Sequence, residues 1–194
     1  GNREERIQGL RIFCEYRDSR SFPLLLPLLD QPCPVERMSV VYALGRNPCP
    51  SAVEKLVSLL ETDDNAYVRR ATAWSLANYD NQIVLKPLIN ALKNDVAAVR
   101  LWSSSSLAEI GNVSLDNAQL AAEQLLISLK IDNEPGVRSN CIWSLCRLYE
   151  KLNNTFQESF VDECTKIALF DKEPSVMEEA KTALDSMGMQ GFYN

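Results

Sequence analysis

Apolar residues recur at helical intervals along the chain, most clearly from Ala66 to Asn78, AYVRRATAWSLAN. Val68, Ala71, Thr72, Ser75, Leu76 and Tyr79 follow the i, i+3, i+4, i+7 spacing of a helix with one core-facing stripe. Arg69 follows the first core position. The same arrangement returns as VRLWSSSSL from Val99, VRSNCIWSL from Val137, ERMSVVYAL from Glu36 and VMEEAKTAL from Val176, with a weak copy, ERIQGLRIF, from Glu5. A period of roughly 30 to 40 residues predicts a solenoid.

A second apolar stretch lies between successive copies: PLLLPLL, AVEKLVSLL, VLKPLINAL, AAEQLLISL and SFVDECTKIAL. Val53, Leu56, Val57 and Leu60 show the same one-sided spacing. Asp63, Asp132 and Asp171 each stand five residues before their repeat anchor, in the predicted turn between the two helices. Asn94 holds that place in one repeat, and Asp30 is shifted by one. Asp and Asn suit such turns because their side chains accept hydrogen bonds from free backbone N–H groups. The predicted unit is a helix, an Asp-bearing turn, a second helix opening Val-Arg, and a polar loop.

This unit resembles the HEAT repeat. The short spacing and the DSRSFPLLLPLL stretch from Asp18 to Leu29 look most like the HEAT-like repeats of phycobilisome lyases. The resemblance implies an all-α solenoid of stacked antiparallel helix pairs, about five and a half repeats in one domain over residues 1–194. The half repeat covers 3–17, and the pairs cover 22–46, 51–79, 82–110, 118–152 and 156–187. Residues 3–17 read as a second-type helix without its first-type partner. An end repeat exposes an apolar face, so the expectation is a chain cut from a longer protein, or a partner covering that end.

Smaller signals refine the path. Pro23 suits a helix start. Asn47 to Pro50 reads as a fixed corner, and Gly111 as a residue just past a helix end. Pro87 either opens or kinks its helix. Phe192 and Tyr193 form an aromatic tail that either folds back over the last core or is disordered.

Six cysteines occur without CxxC spacing, and Cys141 and Cys164 fall on core stripes, so buried reduced thiols in a reducing cytoplasm are expected. The net charge of −6 argues against nucleic acid as a partner. No apolar run reaches the roughly 20 residues of a membrane span. Asn112-Val113-Ser114 and Asn153-Asn154-Thr155 match glycosylation acceptors and read as chance matches.

Candidate chemistry is sparse. The chain has no histidine, which removes Ser-His and Cys-His nucleophile pairs and the usual metal ligand. No glycine-rich phosphate loop and no catalytic carboxylate spacing is present. Cys14 and Cys146 hold matching positions, with nothing nearby in sequence to lower their pKa. Arg6, Arg37, Arg69, Arg100 and Arg138 form a column, broken at Met177. The column could form an anion-binding ladder, but each arginine, Arg69, Arg100 and Arg138 among them, is expected instead to pair with turn aspartates such as Asp63, Asp132 and Asp171, of its own or the neighbouring repeat, in a structural ladder. On solvated turns each pair adds under about 1 kcal/mol.

The distinctive column lies six residues past the anchors, where Tyr42, Trp74 and Trp143 stand in place of polar residues common in HEAT-like repeats. At about 100° per residue it lies well away from the core stripe. Met38, Arg70, Arg46 and Arg147 flank it, and Trp102, on the edge of the stripe, is expected to be structural. The predicted ridge lines the concave face with residue types that dominate binding hot spots. These observations point to a non-enzymatic scaffold that binds a protein and needs no cofactor. The family resemblance implies an alternative: a bilin lyase subunit or chromophore-handling chaperone. Its arginines would pair with tetrapyrrole propionates, and its partner would be a phycobiliprotein or a second HEAT-repeat subunit. A scaffold for assembling a metallocofactor enzyme is a third reading, resting on the scattered cysteines.

Overall fold

The computed structural model describes residues 2–189 and 191; Phe192 and Tyr193 of the tail lie outside them. Eleven α-helices and no strand occur among the described residues. The inner helices are α1 (Arg3–Glu15), α3 (Pro34–Arg46), α5 (Ala66–Leu76), α7 (Ala97–Gly111), α9 (Pro135–Leu148) and α11 (Pro174–Ser186). Between them run the outer helices α2 (Phe22–Leu25, continued by a 3-10 turn to Asp30), α4 (Val53–Thr62), α6 (Leu85–Asn94), α8 (Leu115–Ile131) and α10 (Asn154–Phe170). The architecture is an all-α solenoid of stacked antiparallel helix pairs.

Local chemistry sets the helix starts. Asn2 and Glu5 form a reciprocal capping box on α1. Asn65 accepts from the N–H groups of Tyr67 and Val68, Ser114 from Asn117, and Asn153 from Phe156. Pro87 lies in the first turn of α6, where its missing N–H costs nothing, so it opens the helix rather than kinking it. Gly111 departs from the expectation of a left-handed cap: it is helical, and Gly188 is the residue with positive φ among those described. Gly111 is buried, and a Cβ there would stand 3.1 Å from Ala121 and Leu148, so its small size serves packing.

One core runs the length of the array between the two layers, with Leu44, Leu56, Leu76, Leu88, Leu107, Leu125 and Leu129 essentially inaccessible. Each such side chain contributes about 1.5–3 kcal/mol by leaving water. Successive inner helices are in more extensive contact than successive outer ones, so the array curves toward the inner layer and makes it concave. Small residues permit this approach. Ser106 Oγ donates to Ala73 O at 2.7 Å, and Ser144 Oγ to Ser104 O at 2.7 Å, each across a helix–helix seam. Gly45 on α3 leaves room for the Trp74 ring of α5, which would stand 2.4 Å from a Cβ there.

The turns are tied by an arginine ladder. Arg37 grips Asp63 through Nε and Nη2 at 2.8 and 2.9 Å. Arg69 holds Asp95 (2.8 and 2.8 Å), Arg100 holds Asp132 (2.7 and 2.8 Å) and Arg138 holds Asp171 (3.1 and 2.7 Å). Nη1 of each arginine donates to a carbonyl of its own turn, as from Arg69 to Asp63 O at 2.8 Å. Each guanidinium thus joins its own turn to the carboxylate of the next. Three expectations are corrected. Asn94 ends α6 exposed, and Asp95 takes the ladder place, because the outer helix stops a residue later in that repeat. Arg6 pairs with the anchor Glu36 at 2.7 Å, since Asp30, shifted by one, is engaged by Lys55. The four ladder aspartates are also 3–12 % exposed, so these are not solvated pairs.

Asp132→Ala strips Arg100 of a largely buried carboxylate and is expected to cost about 2–3 kcal/mol at pH 7, or roughly 5–10 °C in Tm. In the folded chain burial pushes the Asp132 carboxyl up, but the Arg100 guanidinium and the Glu134 N–H together hold it below its ordinary 3.8. The unfolded chain therefore takes up the proton first as pH falls. The stabilisation is full above about pH 4 and is lost as pH drops through the folded pKa. Urea midpoints of the parent and Asp132→Ala chains are expected to draw together below that pH. Gly45→Ala forces the Trp74 ring aside and is expected to cost about 1–3 kcal/mol, with a red shift of tryptophan fluorescence. Gly9→Ala, where nothing lies within 4 Å of the added Cβ, should stabilise or leave unchanged.

Candidate binding groove

The ladder holds the inner helices in register, so residues at equal distance from their anchors form columns across the concave face. Tyr42 on α3, Trp74 on α5 and Trp143 on α9 lie in one column. Tyr42 and Trp74 touch at 5.4 Å between ring centroids, tilted by 55°. Both are half-buried, and Trp74 rests on Gly45 with the Arg46 guanidinium 6.0 Å from its ring centre. Met38 is half-buried against the core. The N-terminal part of the ridge is therefore packed into the seam between α3 and α5. Trp143 differs, being 40 % exposed.

Trp102 departs from its expected structural role. The corresponding position on α5 is Ala71, which is fully buried. The serine-lined seams beside α7 leave no room for an indole, so Trp102 is 37 % exposed. Trp74, Trp102 and Trp143 together line a groove of about 370 Å³ with Asn78, Ser105 and Glu109. Three successive inner helices thus contribute one indole each.

The arginines are distributed unevenly. Arg147 lies over the Trp143 ring at 5.0 Å and donates to Glu109 at 2.9 Å, closing one end of the groove. Arg46 is exposed beside Trp74. Arg70 stacks on Tyr67 at 5.6 Å instead of joining the indoles, and its buried Nε has no hydrogen-bond partner. Guanidinium–aromatic contacts of this kind stabilise by about 0.5–1 kcal/mol at exposed sites.

Sequence reasoning missed Glu109, Asn140 and Glu179. Glu109 was within reach, because it lies in the same column as Arg46 and Arg147. Asn140 donates both amide N–H groups, to Leu101 O at 3.0 Å and Ser105 Oγ at 2.6 Å. With Ser105, Ser139, Trp143 and Glu179 it lines an adjoining pocket of about 340 Å³ between α9 and α11.

Cys14, Cys141, Cys146 and Cys164 are poorly suited to nucleophilic chemistry. Burial pushes Cys14 up, Cys146 to about 11, and Cys141 and Cys164 higher still. These four therefore carry little thiolate near neutral pH. Among the described residues no group of three metal-ligating side chains is placed to hold an ion, and no helix is long and apolar enough to cross a membrane.

Among solved structures, the chain is similar to the complex of CpcE and CpcF of phycocyanin lyase from Nostoc sp. PCC7120. The TM-score is 0.67 at 22% identity, covering 86% of this chain and 99% of that one. A designed armadillo repeat protein in complex with the peptide (KR)4 gives 0.63 at 18% identity, covering 97% and 91%. An engineered protein gives 0.65 at 20% identity, covering 96% and 93%. At such identities these likenesses show the fold alone. No curated protein matches the chain. The family model of HEAT repeats matches residues 1–77 and 53–146, well over half of the sequence, and the chain belongs to the HEAT-repeat family.

Proposed function

We propose that this HEAT-repeat chain is a binding scaffold that seats an extended segment of a partner protein on its concave face. The observation that carries this reading is the convergence of Trp74, Trp102 and Trp143, from three consecutive inner helices, on one open groove. Exposing indoles to water is unfavourable, and Trp and Arg are the residue types that dominate interface energetics. Arg147 and Glu109 fix one rim by pairing with each other, so that end needs no reorganisation when a partner arrives. The stacked helix pairs provide the rigidity and most of the groove wall, with Asn78 of the turn after α5 at its edge, which suits recognition along an array.

Trp143→Ala separates binding from folding better than Trp74→Ala, because the Trp74 ring also fills the space above Gly45. Trp143→Ala is expected to weaken capture of the partner by about 30-fold, the loss typical of a hot-spot residue, while Tm stays within about 2 °C. Pull-down from a lysate of the source organism, then titration with the recovered protein, reads this directly. Equal affinity for the parent and Trp143→Ala chains would overturn the groove as the binding face.

A second reading draws on the same groove. Three indoles flanked by Arg46 and Arg147 offer stacking surface and propionate partners for a flat tetrapyrrole. The partner would then be a phycobiliprotein or a second HEAT-repeat subunit, as in the paired chains of the phycocyanin lyase that this fold resembles. A red-shifted bilin absorbance band on mixing, abolished in Trp143→Ala, is the expected sign. An unchanged spectrum, with candidate partner chains present or absent, removes this reading.

A further inference from the structure

We propose that the pocket between α9 and α11 receives a lysine or arginine side chain of the seated segment, three residues along from the side chain held among the three indoles. This inference rests on the groove reading above and names the chemistry of its partner.

The two pockets share Trp143 and Ser105 as a common wall but differ in charge. In the three-indole groove, Glu109 is consumed by Arg147 at 2.9 Å, which leaves an aromatic cage suited to an apolar or aromatic side chain. In the neighbouring pocket, half-buried Glu179 has no cationic partner among the described residues. Lys181, the nearest base in sequence, pairs with Glu178 at 2.8 Å. Asn140 spends both amide hydrogens on α7, so its oxygen remains an acceptor. A carboxylate, an amide oxygen and the Trp143 ring line a receptor for an ammonium or guanidinium group. An anionic side chain would meet Glu179, and an apolar one would leave that carboxylate desolvated and unpaired.

The spacing follows from helix packing. Adjacent helix axes stand about 8–10 Å apart. A polyproline II segment advances about 3.1 Å per residue with three residues per turn, so positions i and i+3 point the same way about 9 Å apart. That conformation places two side chains into neighbouring pockets without bending, and its free backbone groups remain open to solvent and to Asn78.

The test is selection of a random dodecapeptide display library against three forms of the full chain: parent, Glu179→Lys and Trp143→Ala. Glu179 lines the open pocket and is not part of the hydrophobic core, so the charge reversal leaves the core packing in place, and thermal melting confirms folding of all three. The expected result is about fivefold enrichment of Lys or Arg three positions from an aromatic or aliphatic residue on the parent. That preference should vanish or turn acidic on Glu179→Lys, with little enrichment of any kind on Trp143→Ala. Peptides that need Trp143 but show no basic preference, or the same preference on Glu179→Lys, would overturn this inference and leave the groove reading standing. Enrichment indifferent to Trp143 would overturn both.

Discussion

Each repeat of a solenoid touches only its neighbours, so the relation between successive helix pairs rests on whatever fixes one turn against the next. Here that is the guanidinium ladder. Arg37, Arg69, Arg100 and Arg138 each hold a carbonyl of their own turn with one nitrogen and both oxygens of the following turn's aspartate with two others. The planar fork allows this three-way contact in one orientation, which a lysine ammonium would not impose. The pairs are largely removed from water, so losing one partner strands a charge. The ladder thereby sets the register that turns sequence columns into surface columns.

Register alone does not make a groove. The inner helices also come close because their facing positions carry Ala, Ser and Gly, with the hydroxyls of Ser106 and Ser144 donating to carbonyls on the neighbouring helix. Close seams have a second effect: a large ring on an inner helix must find a glycine or leave the interior. Trp74 finds Gly45 and is half-buried, while Trp102 and Trp143 are pushed onto the concave face. The same packing that stabilises the array therefore exposes its most adhesive side chains.

The HEAT fold is reused for many roles, so membership of the family constrains architecture more than activity. Binding is favoured by the groove's own chemistry. Its walls are aromatic and its carboxylate, Glu109, is neutralised by Arg147, whereas Glu179 in the adjoining pocket is not neutralised. Cys141, Cys146 and Cys164 offer little nucleophilic chemistry at neutral pH.

The amino-acid sequence by itself determined the repeats, the helix type and the concave column. Those features depend on spacing along a single helix or on a recurring interval, and Val68, Arg69 and Trp74 carry them locally. It also placed Asp63, Asp132 and Asp171 in turns. It could not say that each aspartate serves the arginine of the preceding repeat, because that pairing crosses 26 to 33 residues and depends on how turns stack. Asp95 was passed over for Asn94, since a one-residue shift in where α6 ends is decided by packing against its neighbours. Trp102 looked structural because its angle on α7 falls at the core edge. Only the tertiary structure showed that serine-lined seams leave it no space inside. The Glu179 pocket was decided at the same level: three helices supply its walls, and whether a carboxylate is paired depends on which bases the fold brings beside it.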